Sequence, residues 1–300
     1  MSNSSAQKTI SLVLGSGGAR GLAHIGIIHW LEEHDFQITS ISGCSIGALV
    51  GGVYAMGKLD EFEHWVRAVR KIDLVSLLDI SWQKNGLVKG DKIINSLVDL
   101  LGDQLIEELP LAYTAVATDI ENQKEVWLQS GKLFNAIRAS ISLPLFFTPV
   151  HYKGVDLIDG GVLNPVPIAP TFGAGTDLTI AVNLNGDIET SPSLAESDSA
   201  TQESSNGFYD SIRRFIHKLQ PAAADSQKRD WGVYDIANQA FDAMQTTIAR
   251  QKLAAYPPDY LIEIPGNVCG TLEFDRAEEL IKLGYEAAEK QLTGLIDSNH

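Results

Sequence analysis

The chain of 300 residues is short of cysteine, short of positive charge, and without a long apolar run that escapes interruption. Its two cysteines, Cys44 and Cys269, have the spacing of neither a metal knuckle nor a redox pair, which fits a reducing compartment and supplies no disulfide framework. Lys and Arg number 23 against 38 Asp and Glu, a formal charge of −15 that repels phosphate backbones, so nucleic acid is not expected as a partner. Residues 1–7 are polar and Ser-rich, with no apolar stretch behind a basic start, so they read as a disordered tail rather than a signal peptide, and the expected location is the cytoplasm. Residues 36–57 carry no charge and are long enough to cross a bilayer, but Gly43-Cys44-Ser45-Ile46-Gly47 divides them into a strand-like and a helix-like half. They read as a buried strand, turn and helix. With 44% hydrophobic and 20% charged residues the composition excludes disorder, collagen and coiled coil, and no solenoid-length repeat is present.

What is present alternates between the periods of strand and helix. A β-branched run over 8–14 ends in Gly15-Ser16-Gly17-Gly18, and helical spacing follows over 22–33. A second apolar run at 38–42 leads into a helix of small residues over 45–56. Two βα units in succession predict an α/β fold with a mainly parallel sheet. The pattern continues with helices over 59–70 and 91–101, strands over 111–118 and 125–128 around an Asn122 turn, and a helix over 131–140. Strands over 155–158, 178–183 and 261–264 and a helix over 275–295 complete it. We expect a single domain over 8–300 with a polar, Ser- and Ala-rich excursion at 186–229. Within that excursion Phe208, Ile212, Phe215, Ile216 and Leu219 share one helical face, with Arg213, Arg214, His217 and Lys218 around the other. The segment 208–219 is thus a candidate for peripheral contact with an inner membrane surface, or a cover for the protein's own core.

Two motifs suggest chemistry. Gly43-Cys44-Ser45-Ile46-Gly47 matches the G-x-S-x-G elbow, where flanking glycines permit a sharp strand-to-helix turn that exposes a serine hydroxyl, so Ser45 is the candidate nucleophile. The Gly-Ser-Gly-Gly-Ala-Arg-Gly loop at 15–21 lies between strand and helix, where free backbone N–H groups favour an oxyanion or phosphate. A dinucleotide reading lacks its second anchor, because the next strand runs through Ser40 and Ser42 instead of ending in an acidic residue. A Walker A loop lacks its Gly-Lys-Ser/Thr. Arg20, at the positive end of the following helix, would either shape the loop or meet an anion. Ser45 needs a base, and Asp159-Gly160-Gly161 at the end of a strand holds a carboxylate where backbone can approach closely. Of seven histidines only His217 and His300 follow Asp159, one in the polar excursion and one at the terminal residue, so a Ser-Asp dyad fits better than a triad.

In this order the glycine loop, the elbow and Asp159-Gly160-Gly161 resemble the patatin-like phospholipase family, in the bacterial branch similar to neuropathy target esterase catalytic domains. Arg138-Ala139-Ser140-Ile141-Ser142-Leu143-Pro144, its continuation over 146–150, and Asn164-Pro165-Val166-Pro167 are similar to that family too. The resemblance spans about residues 8–185 and is weaker in the last strand and helix. It implies a three-layer α/β/α fold and hydrolysis of acyl esters of phospholipids, lysophospholipids or smaller esters, with no cofactor and no metal. By position it implies Ser45 as nucleophile, Asp159 as base, and Gly17 and Gly18 as oxyanion donors with Arg20 beside them. Gly15, Gly21, Gly43, Gly47, Gly160 and Gly161 would support these loops. Ser16 stands where plant members have glycine. A regulatory or lipid-binding protein of the same fold is the alternative.

Overall fold

The computed structural model describes residues 7–68, 90–188 and 233–297. The described strands form one eight-stranded sheet. Strand β1 (Thr9–Leu14) runs centrally because its residues are buried on both faces: Ile10, Leu12 and Leu14 join the larger apolar cluster, while Val13 joins a smaller one. On the larger side helix α1 (Ala23–Glu33) packs on the C-terminal helix α7 (Ala277–Asp297) with backbones nearly touching, since a Cβ on Gly26 would strike the Ile281 carbonyl. On the other side, Val166, Ile168 and Ala249 cover Val13 and Ala181.

Parallel pairing runs through β3 (Ala112–Asp119), β2 (Gln37–Cys44), β1, β7 (Leu178–Gly186) and β8 (Tyr260–Pro265). The other end is antiparallel, which makes the sheet mixed: β3 pairs with β4 (Lys124–Leu128) and with β6 (Val155–Asp159), which pairs with β5 (Val150–Tyr152). Ala115 to Asp119 of β3 are fully paired with β4 on one edge. A strand has only two edges, so β2, opposite residues 112–116, and β6, opposite residues 117–119, share the remaining one. They approach each other head-on and stop at adjacent positions, Cys44 opposite Val116 and Asp159 opposite Ala117.

The uncharged stretch 36–57 becomes β2, Ser45 and helix α2 (Ile46–Ala55). Helices α3 (Leu59–Ala68), α4 (Asp91–Leu101) and α5 (Leu133–Ser140) add apolar residues to the larger cluster. No helix among the described residues is long and apolar enough to cross a membrane. The chain divides into a compact unit of residues 1–189 with 244–300 and a second of 190–243. Strand β7 extends to Gly186, three residues beyond the expected 178–183, and so reaches the first residue of the expected excursion. The amphipathic segment 208–219 lies outside the described residues. Helix α6 (Val233–Ala255), spanning the boundary at 243, had no counterpart in the sequence reading.

Candidate active site

The elbow places Ser45 between β2 and α2 with φ 56° and ψ −124°, a conformation that costs a non-glycine residue roughly 1–3 kcal/mol. The surroundings hold it there. Ser45 N donates to Ser140 Oγ at 2.9 Å, Ser140 Oγ–H donates to Val116 O at 2.6 Å, and Ser45 O accepts from the amides of Ala48 and Leu49. Glycine at 47 is required by space, because a Cβ would collide with the Leu14 carbonyl of the neighbouring strand. Gly43 lies against the same turn, and Gly21 lies against the Ile46 side chain.

Asp159 ends β6 and is wholly buried. Its Oδ2 accepts from Ser45 Oγ–H at 2.6 Å and its Oδ1 from Gly161 N at 2.7 Å. The Cys44 thiol lies 3.9 Å from Oδ1, and burial together with the nearby carboxylate pushes that thiol's pKa well up. Burial also pushes the Asp159 carboxyl from 3.8 up to about 6, against the hydrogen bonds from Ser45, Gly161 and Cys44 that favour its charged form. Gly160 starts a 3-10 turn directly over the Val116 carbonyl. A carboxylate with a pKa near neutrality, bonded to a strained serine hydroxyl, can accept that hydroxyl's proton.

In the glycine loop, Gly15 N donates to Val182 O, Ser16 N to Pro165 O and Ala19 N to Thr271 O. Between them the amides of Gly17 and Gly18 have no acceptor among the described residues. Gly18 has φ 57° and lines the same cavity as Ser45. Arg20 is buried and donates to Gly266 O at 2.7 Å and Asn185 Oδ1 at 3.2 Å, so it ties the loop to the end of β7 and the turn after β8. His24 on α1 bonds Gly15 O through Nε2 at 2.9 Å, and burial lowers its pKa to about 4, which keeps it neutral and makes Nε2 the donor. His29, His34, His64 and His151 bond groups outside this site, namely Glu63, Trp30 O, Asp60 O and Asp156.

Three supports escaped the sequence reading. Ser140 lies in the 138–144 segment, but nothing in its local pattern indicates a bond to Ser45 N. Gln245 of α6 is buried and donates to Ser16 Oγ at 3.2 Å. Asn185 Nδ2 reaches Ser16 O at 3.4 Å. Nothing local marks Gln245, which stands between Met244 and Thr246.

Ser45 opens into a cavity of about 160 Å³. Apart from Ser45, Gly18 and Thr271 its walls are apolar, with Phe62 and Trp65 from α3, Ile93 and Leu97 from α4, and Leu143, Phe146 and Phe147 from the segment after α5. Such a lining suits a hydrocarbon chain next to a carbonyl held at Ser45.

The patatin-like phospholipase family model matches residues 12–172, a span that contains the glycine loop, Ser45 and Asp159. An uncharacterized NTE family protein of Mycobacterium bovis is 38% identical, with 96% of this chain and 92% of that protein covered. The lysophospholipase NTE1 of Kluyveromyces lactis is 28% identical over 97% of this chain, which spans only 20% of that longer protein. Among solved structures, VipD from Legionella pneumophila gives a TM-score of 0.46 at 16% identity, covering 97% of this chain and 67% of that one. The match over more than half of the chain, together with the mycobacterial relative, shows that the chain belongs to the patatin-like phospholipase family.

Proposed function

We propose that the chain is a serine acyl-ester hydrolase acting on lipid esters, phospholipid or lysophospholipid, through a Ser45–Asp159 dyad. The observation that carries this reading is the 2.6 Å bond from Ser45 Oγ to a buried carboxylate, at the mouth of an apolar cavity. Asp159 Oδ2 takes the proton of Ser45 as Oγ attacks the ester carbonyl. The amides of Gly17 and Gly18 donate to the oxyanion as it forms. Collapse breaks the ester C–O bond, and the proton on Asp159 passes to the leaving alcohol oxygen, leaving acyl-Ser45. Asp159 then takes a proton from water as that water attacks the acyl carbon; collapse returns the proton to Ser45 Oγ and frees the carboxylic acid. Each half-reaction uses one base, so no histidine is needed. The family membership and the lysophospholipase relative support the lipid substrate class.

Fluorophosphonate labelling read by intact mass, beside turnover of a short soluble ester and of phosphatidylcholine and lysophosphatidylcholine, tests the reading. One label on the wild type, none on Ser45→Ala, and turnover lost in Ser45→Ala is the expected result. A folded wild type that neither labels nor turns over any of these esters would overturn it and favour the regulatory alternative.

A further inference from the structure

Leu145 occupies a backbone conformation suited to glycine or asparagine. Its φ is 67°, in the left-handed region where a bulky side chain is an outlier, and that side chain is 61% exposed. The position thus combines a backbone penalty with apolar surface in water, a pairing that calls for a functional reason. Its neighbours supply one. Leu143, Phe146 and Phe147 line the cavity at Ser45, and Leu272, lining the same cavity, is 41% exposed, so the apolar wall reaches the surface there.

We propose that this rim, with Leu145 as its outermost side chain, docks on a lipid bilayer that carries no net charge. An acyl chain leaving a bilayer crosses water unless the cavity mouth is seated on the hydrocarbon boundary, and seating it removes the exposed leucines from water as well. The absence of lipid charge follows from the chain's own −15, which an anionic leaflet repels and a zwitterionic one does not. The acyl-transfer purpose rests on the hydrolase reading above; the docking does not require turnover.

The test is co-sedimentation of the whole chain with phosphatidylcholine vesicles and with phosphatidylglycerol vesicles, for wild type, Leu145→Gly and Leu145→Asn. Glycine and asparagine accept the left-handed backbone, so the thermal midpoint of both variants holds or rises, and turnover of a short soluble ester is unchanged. Partition onto phosphatidylcholine should fall roughly tenfold in both, as expected for one leucine withdrawn from hydrocarbon. The wild type should bind phosphatidylglycerol less than phosphatidylcholine at low salt. Variants that partition like the wild type, or a wild type that stays in solution or prefers the anionic vesicles, would overturn the proposal. A chain that docks as expected but hydrolyses nothing would refute the hydrolase reading alone.

Discussion

Replacing Asp159 by asparagine should cut turnover by orders of magnitude and make the protein more stable, and the second effect should grow from about pH 4 to its full size near pH 7. The carboxyl is wholly buried and its pKa is raised from 3.8 to about 6. Holding it ionised in the folded state therefore costs on the order of 3 kcal/mol relative to the unfolded chain. The sign follows from the raised value: the folded state favours the protonated acid, so the favourable contribution is complete below about 3.8 and is lost as pH rises through about 6. Asparagine never ionises, can accept from Gly161 N through its carbonyl oxygen, and avoids that cost. Urea denaturation of wild type and Asp159→Asn at intervals from pH 4 to pH 8 measures the difference directly. The variant should gain relative to wild type through this range, by on the order of 3 kcal/mol in all, and level off above pH 7. Over the same window kcat/KM of the wild type on a soluble ester should rise about tenfold per pH unit up to about pH 6 and then flatten, since the base must be ionised. The variant should lose roughly 10²- to 10⁴-fold. A stability difference that does not change with pH, or a pH–rate profile without a limb near 6, would refute the claim that burial sets the basicity of Asp159.

Gly161→Ala should lower kcat while leaving the protein folded, because the new Cβ would collide with Gln245 Nε2 and stand 2.8 Å from Ser16 Oγ and 3.0 Å from Asp159 Oδ1. Steady-state kinetics beside a thermal melt separates displacement of the carboxylate from general loss of fold. His24→Phe removes the donor to the buried Gly15 carbonyl and should cost about 1–3 kcal/mol in urea denaturation. His24→Gln, which keeps an N–H near the same place, should recover part of that loss.

How much of this was legible in the sequence depends on whether local chemistry or a remote partner fixes each residue. Strands β1 and β7 could be read because burial on both faces makes them continuous apolar runs, and the elbow could be read because glycine at 43 and 47 is a local steric demand. The end of β7 was hidden because Asn183 and Asn185 interrupt that apolar run. They stay in the strand by bonding Glu263, Ser16 O and Arg20, residues far away in sequence. Helix α6 escaped because in its described part only Gln245 and Ala249 are buried, too few and too small to create a periodicity. The candidate dyad could be paired in the sequence, as an elbow serine that needs a base and an Asp-Gly-Gly aspartate with no suitable histidine after it. The bond between them could not be read, because they are 114 positions apart and no spacing rule reaches that far.

That contact depends on two strands that run toward each other along a single edge of β3 and stop at neighbouring residues. A slip of one residue in either pairing would move its end by about 3.3 Å and turn its side chains to the opposite face. The hydroxyl and the carboxylate can therefore meet only after both non-local ladders have closed in their native register. Such pairings carry the largest loop-closure cost and form late. Recovery of activity in a refolding chain is consequently a gauge of completed sheet register, and should trail the return of helical signal.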